Sequence, residues 1–338
     1  MRFELSRSAA AASLLAALTT RLFYGLALDA PEAANAAWMA APMGLLLALP
    51  TLWLMDRLGV AQSRAFAALL FAGVALDAAG SIEWTAYSES CLAFDHISPV
   101  LLMIPLLLTV ARCAWLGADA VGGAARFLAM LFALLMLMVI LYQIPYYRVV
   151  WLTPWLGAGI GGVLRSAMRA AGWDVLLCGA AMTACSKSMG MKDLLPGLLL
   201  STGVAMLLIM LQQMMAPVPV TGDVSRRIRI DTFLTNGRAP LYLQLPMIVA
   251  WFSGMLHLTA FESVAACCLF HRSLPKVRAS VCVAAGLGIV FATSLLRWTN
   301  LSPFRQASRY LFHALTIAVI LKGVFRRCGA SPLYLRSY

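Results

Sequence analysis

Seven ionisable side chains lie inside long apolar stretches of the sequence, where charges are rare. They are Arg21, Asp77, Glu83, Glu89, Asp174, His257 and Glu262. In a hydrocarbon environment a stranded charge costs about 2.5–3.5 kcal/mol, so such residues are candidates for binding a solute, an ion or a proton. We expect each of them to be paired, hydrated, protonated or close to an interface with water.

Asp174 follows a glycine-rich segment that predicts a break in the backbone. Residues 157–162 contain four glycines, and Gly172 and Trp173 directly precede the acid. Irregular backbone at membrane depth is tolerated only where protein buries it or a water-filled cavity solvates it, and broken helices are common solute and ion sites. Two interpretations of Asp174 stay open: a ligand or cation contact in a central cavity, or a helix cap near the outer interface.

Arg21 lies beside Tyr24 and Gly25, where we predict an interruption of the first helix. Its guanidinium group is suited to bind a carboxylate ligand, or to pair with Asp174 across the molecule. The alternative is a structural arginine that is paired internally or extends to the membrane surface. Arg21, Tyr24, Gly25, Trp173 and Asp174 therefore form the centre of the predicted ligand site.

A polar stretch in the third apolar run adds further acids. Glu83 and Tyr87 are four residues apart and share one helical face, which makes Glu83 the better candidate for a buried ligand-binding acid. Glu89 is closer to the end of the run and is expected at the interface. Asp77, beside Gly80, is a further candidate.

The eighth apolar run places Trp251, Gly254, Leu258 and Glu262 near one helical stripe. We assign Trp251 and Glu262 to the predicted ligand site, and the alternative is a stripe that packs against a neighbouring helix. His257 is interpreted as an interior histidine or a proton relay.

The composition indicates which elements must position these residues. The chain has 338 residues, of which 62% are apolar and 12% charged, and its mean hydropathy is +0.84. Soluble domains have about 25% charged residues, and a membrane-spanning helix needs about 20 apolar residues. We predict an all-α polytopic membrane protein with one domain, 1–338, and broken helices 1 and 6 in a 5+5 inverted repeat. The ten predicted spans are 8–28, 37–55, 65–91, 98–115, 124–144, 170–185, 194–215, 241–270, 277–296 and 306–325.

Charge and motif content exclude several function classes. The net charge of +12 comes mostly from Lys and Arg in short loops, which predicts cytoplasmic termini and contact with lipid head groups, not nucleic-acid binding. The sequence contains no catalytic motif, so we predict no enzyme activity, no catalytic residues, no cofactor and no metal site. The eight cysteines are expected to be buried thiols. A signal peptide at the N-terminus is the alternative to an uncleaved first span.

Four stretches in order resemble the B-subunit family of bacterial spore germinant receptors, which is related to the amino acid/polyamine/organocation transporters. They resemble the second span with its preceding linker, the proline-led fourth span, the lead into the sixth span and the eighth span of that family. These stretches are ALDAPEAANAAWMAAPMGLLLALP, ISPVLLMIPLLLTVARCAWLGADAVGGAARF, LTPWLGAGIGGVLRSAMRAAGWDVLL and LPMIVAWFSGMLHLTAFESVAACCLF.

The resemblance implies a ten-helix fold of the LeuT type in the inner membrane of a bacterial spore. It also implies assembly with A-type and C-type receptor subunits, sensing of a small germinant such as an amino acid, and coupling to the release of monovalent ions. By position, Gly25 falls near the family's first-helix break and Asp174 falls where the family has an acid. Two alternatives stay open: a stand-alone secondary transporter of amino acids or organic cations, and a structural subunit without a ligand.

Overall fold

The computed structural model describes residues 7–29, 36–59, 63–92, 97–153, 159–184, 189–215 and 241–298, and this part of the chain is helical and contains no strands. Two 3₁₀-helices, Ile144–Tyr146 and Val149–Leu152, follow the fifth α-helix. The predicted tenth span lies outside the described residues. The α-helices described are α1 (Arg7–Asp29), α2 (Ala37–Arg57), α3 (Arg64–Leu92), α4 (Pro99–Leu116), α5 (Ala118–Gln143), α6 (Gly159–Ala184), α7 (Met191–Met215), α8 (Leu241–Ser273) and α9 (Ala279–Trp298).

Six of these helices, α2, α3, α4, α7, α8 and α9, contain segments long and apolar enough to cross a bilayer. Large apolar side chains cover the outside of the bundle, especially on α4 and α5, where Leu108 and Met130 are among the most exposed. In water such a surface is a liability, whereas in a membrane it is the surface that contacts lipid. The chain is therefore a polytopic helical membrane protein.

The helix contacts repeat with a shift of five helices. Helix α1 packs on α7, and α2 packs on α6; α4 packs on α3 and α8, and α9 packs on the same two helices. Helices α3 and α8 form one of the most extensive contacts in the described bundle. Exchanging each helix number with the one five higher converts these contacts into one another. This is the pattern expected of two five-helix halves related by a two-fold axis in a LeuT-like inverted repeat.

The interruptions expected in the first and sixth helices differ from what the structure shows. Helix α1 is continuous across residues 21–25, and α6 starts at Gly159 and runs without a break through Gly172. A glycine inside a helix costs only about 1 kcal/mol relative to alanine, so packing readily overrides it. A continuous helix also keeps its backbone hydrogen bonds satisfied in hydrocarbon. The glycine-rich segment upstream, residues 154–158, lies outside the described residues.

Helix α5 also starts earlier than expected, at Ala118 instead of residue 124. A single residue, Gly117, joins it to α4, and its φ of +98° lies in the region that side chains disfavour. The glycine therefore permits a sharp reversal between two helices that both face lipid.

Two side chains complete helix ends at one end of the bundle. Asp56, at the end of α2, accepts a hydrogen bond from the backbone N–H of Met191 at 3.0 Å, where α7 starts. Arg272, near the end of α8, donates to the carbonyl of Thr183 in the last turn of α6. An acid at a helix start and a base at a helix end both complement the helix dipole. These contacts bring the ends of α2, α6 and α8 to the same side as the start of α7.

Candidate functional site

The centre of the site is an ion pair between α1 and α3. Arg21 donates from Nη2 to Oδ1 of Asp77, and its Nη1 lies 3.4 Å from the hydroxyl of Ser81. Asp77 is 3% exposed and Arg21 15%. Both residues lie about 20 Å along their helices at 1.5 Å per residue, which places the pair near the middle of both helices. The backbones of α1 and α3 hardly approach each other, so this pair bridges the space between them.

Helix α6 covers the guanidinium group with an aromatic ring. The Cζ atom of Arg21 lies 4.8 Å from the centroid of the Trp173 ring. A cation over an indole face is stabilised by the ring quadrupole, and more strongly where water is excluded. Trp173 therefore connects α6 to the ion pair of α1 and α3. The sequence predicted both residues in one ligand site, and the structure joins them through this cation–π contact.

Helix α8 brings a second carboxyl group to the same place. Glu262 is completely buried. The polar side chains that influence the charge of its carboxyl group are those of Asp77, Arg21 and Ser81. Neither carboxyl oxygen of Glu262 makes a hydrogen bond of good geometry within the described part of the chain. Oδ2 of Asp77, the oxygen that Arg21 does not engage, also has no such partner. Arg21 thus pairs with Asp77 and attracts Glu262 electrostatically without a hydrogen bond to it.

Asp174 lies next to Trp173 in α6 and is completely buried. The structure pairs Arg21 with Asp77 instead of with Asp174, and neither oxygen of Asp174 accepts a hydrogen bond from the described residues. It acts electrostatically on the thiol of Cys178, one helical turn further along α6. Successive helical residues point about 100° apart, so Trp173 can face Arg21 while Asp174 faces a different part of the interior.

The remaining predicted site residues have different positions. Glu83 is half-buried in α3, and it stays a candidate by its place in the sequence. Tyr24 and Gly25 belong to α1 and Trp251 belongs to α8, but their side chains lie outside the described residues. His257 is buried in α8 beside the backbone of Ser13.

Asp77 was only a further candidate in the sequence, but it is the acid that pairs with Arg21. It begins a row of buried polar side chains on α3 that continues with Ser81, Thr85 and Ser88 at steps of three and four residues. Thr85 and Ser88 donate to backbone carbonyls one turn earlier, at 2.7 and 2.9 Å, which satisfies them within the helix. The spacing of this row was visible in the sequence and identifies the face of α3 that carries the acid.

Comparison with known proteins finds similarity in structure alone. No protein family and no curated protein matches the chain by sequence. The fold is similar to that of a Na⁺-coupled sialic acid symporter in a substrate-bound, outward-open state, with a TM-score of 0.60 and 12% identity over 95% of this chain and 78% of that one. It is also similar to a manganese transporter mutant from Eremococcus coleocola, with a TM-score of 0.55 and 13% identity over 95% and 77%. Both are transporters and neither is an enzyme, so the chain is an integral membrane protein with the fold of LeuT-like secondary transporters.

Proposed function

We propose that the protein is a membrane subunit that binds a small amino acid between α1, α3, α6 and α8 and serves as the B-type subunit of a spore germinant receptor. The transporter-like fold supports a solute site inside the bundle. The ordered resemblance of four stretches to germinant receptor B subunits supports the receptor role. The proposed location is the inner membrane of a bacterial spore, with A-type and C-type subunits as partners.

The observation that carries the proposal is an excess of buried acid. Among the described residues, Asp77, Asp174 and Glu262 are carboxyl groups with at most 3% exposure, and of these only Asp77 has a hydrogen bond to an arginine, Arg21. Carboxylates at membrane depth need compensation by a cation, a proton or a solute. An amino acid supplies an ammonium group for this purpose.

We assign the ammonium group of the solute to Asp174. This carboxyl group is completely buried and has no hydrogen-bond partner in the described part of the chain, so a bound ammonium group would supply the missing donors. The solute carboxylate would then compete with Asp77 for Arg21. Because Arg21 connects α1, α3 and α6, this exchange of partners links solute binding to the relative position of three helices.

Binding of radiolabelled amino acids to the purified chain in lipid nanodiscs tests this assignment. Asp174→Asn should abolish saturable binding, because a neutral amide lacks the charge that compensates the ammonium group. Asp119→Asn is the matched control, since Asp119 is exposed at the start of α5. Unchanged binding by Asp174→Asn, or no amino acid bound by the wild type, would contradict the assignment.

The second candidate function is a stand-alone transporter of amino acids or organic cations. The observation that favours it is the structural similarity of 95% of this chain to a sialic acid symporter and to a manganese transporter. Uptake into proteoliposomes that contain only this chain would support the transporter. Binding without uptake, together with co-purification of A-type and C-type subunits from spore membranes, would support the receptor.

A further inference from the structure

We propose that Glu262 and Asp77 hold one exchangeable proton between them, which makes their cluster with Arg21 neutral. The proposed solute site does not require this proton, and the inference adds to that site a titratable group on a different pair of helices. Proton occupancy can be measured without any solute, so the two proposals can fail separately.

The geometry provides a donor position and an acceptor position for the proton. Arg21 engages Oδ1 of Asp77, which leaves Oδ2 facing the interior without a partner. Glu262 lies on α8, which packs extensively on α3 and brings it within the electrostatic influence of Asp77, and both of its carboxyl oxygens also lack a partner among the described residues. When Glu262 binds a proton, its carboxyl O–H can donate to Oδ2 of Asp77, which satisfies one buried donor and one buried acceptor together.

Charge balance also points to a single proton. Two ionised carboxylates beside one guanidinium group have a net charge of −1, whereas one added proton makes the group neutral. A neutral cluster has the smaller desolvation cost in a membrane interior. Release of that proton leaves a carboxylate on Glu262 that competes with Asp77 for Arg21, because both acids lie within the influence of the same guanidinium group.

Two other pairs of titratable groups near α8 do not involve Glu262. The buried titratable groups of the neighbouring helix α6 are Asp174 and Cys178, which act on each other. On the side of α9, Cys267 of α8 and Cys282 of α9 act on each other. Glu262 is therefore compensated by Arg21 of α1 alone among these groups, while the carboxylate of Asp77 on α3 repels its negative charge.

A proton fits the surroundings better than a metal ion. No cluster of three or more His, Cys, Asp or Glu side chains arranged to hold a metal occurs in the described part of the chain. Hard cations take six or more oxygen ligands, and the neighbours that act on Glu262 include a positively charged guanidinium group. A proton needs only the two carboxyl groups.

Infrared difference spectroscopy of the full chain in nanodiscs tests the proposal. A step in pH should reveal the C=O band of a protonated buried carboxyl group that disappears at high pH. Glu262→Gln should lose this band, whereas Asp119→Asn should keep it, because Asp119 is exposed. Because the buried Asp174 can contribute a band of its own, the two chains are compared in an Asp174→Asn background, where a band of unchanged intensity in Glu262→Gln would overturn the proposal. So would a band that added NaCl removes at constant pH, because the ion would then be Na⁺.

A second measurement uses the wild-type chain, so it does not depend on the folding of a variant. A hydrophobic carbodiimide reacts with protonated carboxyl groups in apolar surroundings, and mass spectrometry identifies the modified residue. We expect modification of Glu262 or Asp77 that declines as the pH rises. Failure to modify either residue at any pH at which the protein is folded would overturn the proposal.

Discussion

Two regions of the bundle are held together in opposite ways. At the contact of α2 with α6, small residues let the backbones touch: a Cβ atom added at Gly44 would lie 2.5 Å from Cβ of Ala170 and 2.9 Å from the carbonyl oxygen of Ala167. Between α1 and α3 the backbones hardly approach each other, and the helices meet through the long side chain of Arg21, which reaches Asp77. Close packing leaves no space for charge, whereas the wider region needs charge to connect its helices.

The comparison shows where the molecule is able to change. Tightly packed small residues give van der Waals contact along a whole helix and have no second arrangement of similar energy. A cluster of two acids and one arginine has at least two arrangements, because either acid can take the guanidinium group. The first region is therefore the framework, and the second is the part that a solute or a proton can switch.

The largest effect is expected from Arg21→Gln. It leaves Asp77 and Glu262 buried without a cation, which should reduce the free energy of unfolding by about 3–5 kcal/mol. Thermal and denaturant unfolding in detergent measure this loss. The double variant Arg21→Gln with Asp77→Asn should lose less than Arg21→Gln alone, because it removes an uncompensated acid. A double variant that loses the sum of the single losses would show that the two residues do not act as a pair.

The next largest effect concerns the framework. Gly44→Ala should cost about 1–3 kcal/mol, because the added methyl group forces α2 and α6 apart. Gly203→Ala is the matched control in α7, where the added atom meets nothing within 4 Å and where alanine favours the helix by up to about 1 kcal/mol. Equal unfolding temperatures for both variants would contradict close contact of α2 with α6.

Trp173→Leu tests the aromatic contact within the charged cluster. It removes the ring that covers Arg21, and we expect a loss of about 2 kcal/mol because the contact is shielded from water. A second pair of the same type, Arg57 and Trp53 at the end of α2, has a similar distance of 4.9 Å, but Trp53 is 49% exposed. Trp53→Leu should therefore change the unfolding temperature far less. Equal losses in the two variants would show that burial does not strengthen the contact between arginine and tryptophan.

The smallest effect is expected at the helix end. Asp56→Ala removes the acceptor for the backbone N–H of Met191, which should cost about 1 kcal/mol. Hydrogen exchange in the first turn of α7 should accelerate, while exchange around Asp77 stays unchanged. Asp56→Asn should retain most of the protection, because an amide oxygen also accepts this hydrogen bond. Protection that is unaffected in Asp56→Ala would show that water replaces the cap.

Several features of the site were predictable from local patterns. Arg21, Trp173 and Glu262 stood out because each is polar or aromatic at a special place in an apolar run. In the structure Trp173 and Asp77 contact Arg21, and Glu262 lies within the electrostatic influence of Arg21 and Asp77. The partner of Arg21 was not predictable in the same way. Asp77 is 56 residues away and Asp174 is 153 residues away in a chain with several acids, and periodicity identifies a helical face without identifying the helix that it meets.

The interruptions in α1 and α6 were expected because glycine and charge are typical of broken helices. The structure keeps both helices continuous in the described residues, since Asp77 compensates Arg21 and since packing accommodates Gly172 within α6. Local propensity is a weak prior, and interactions between helices override it.

The sequence by itself determined that this protein lies in a membrane, that it is built from helices and that a few charges are buried inside it. These properties follow from the local cost of placing side chains and backbone in hydrocarbon, which depends on residue type and spacing. The packing of the helices was needed to show that Arg21 pairs with Asp77, that Glu262 approaches the same pair and that Asp174 lies elsewhere. Pairing between distant charges depends on which helices become neighbours, and that is a property of the packed bundle as a whole.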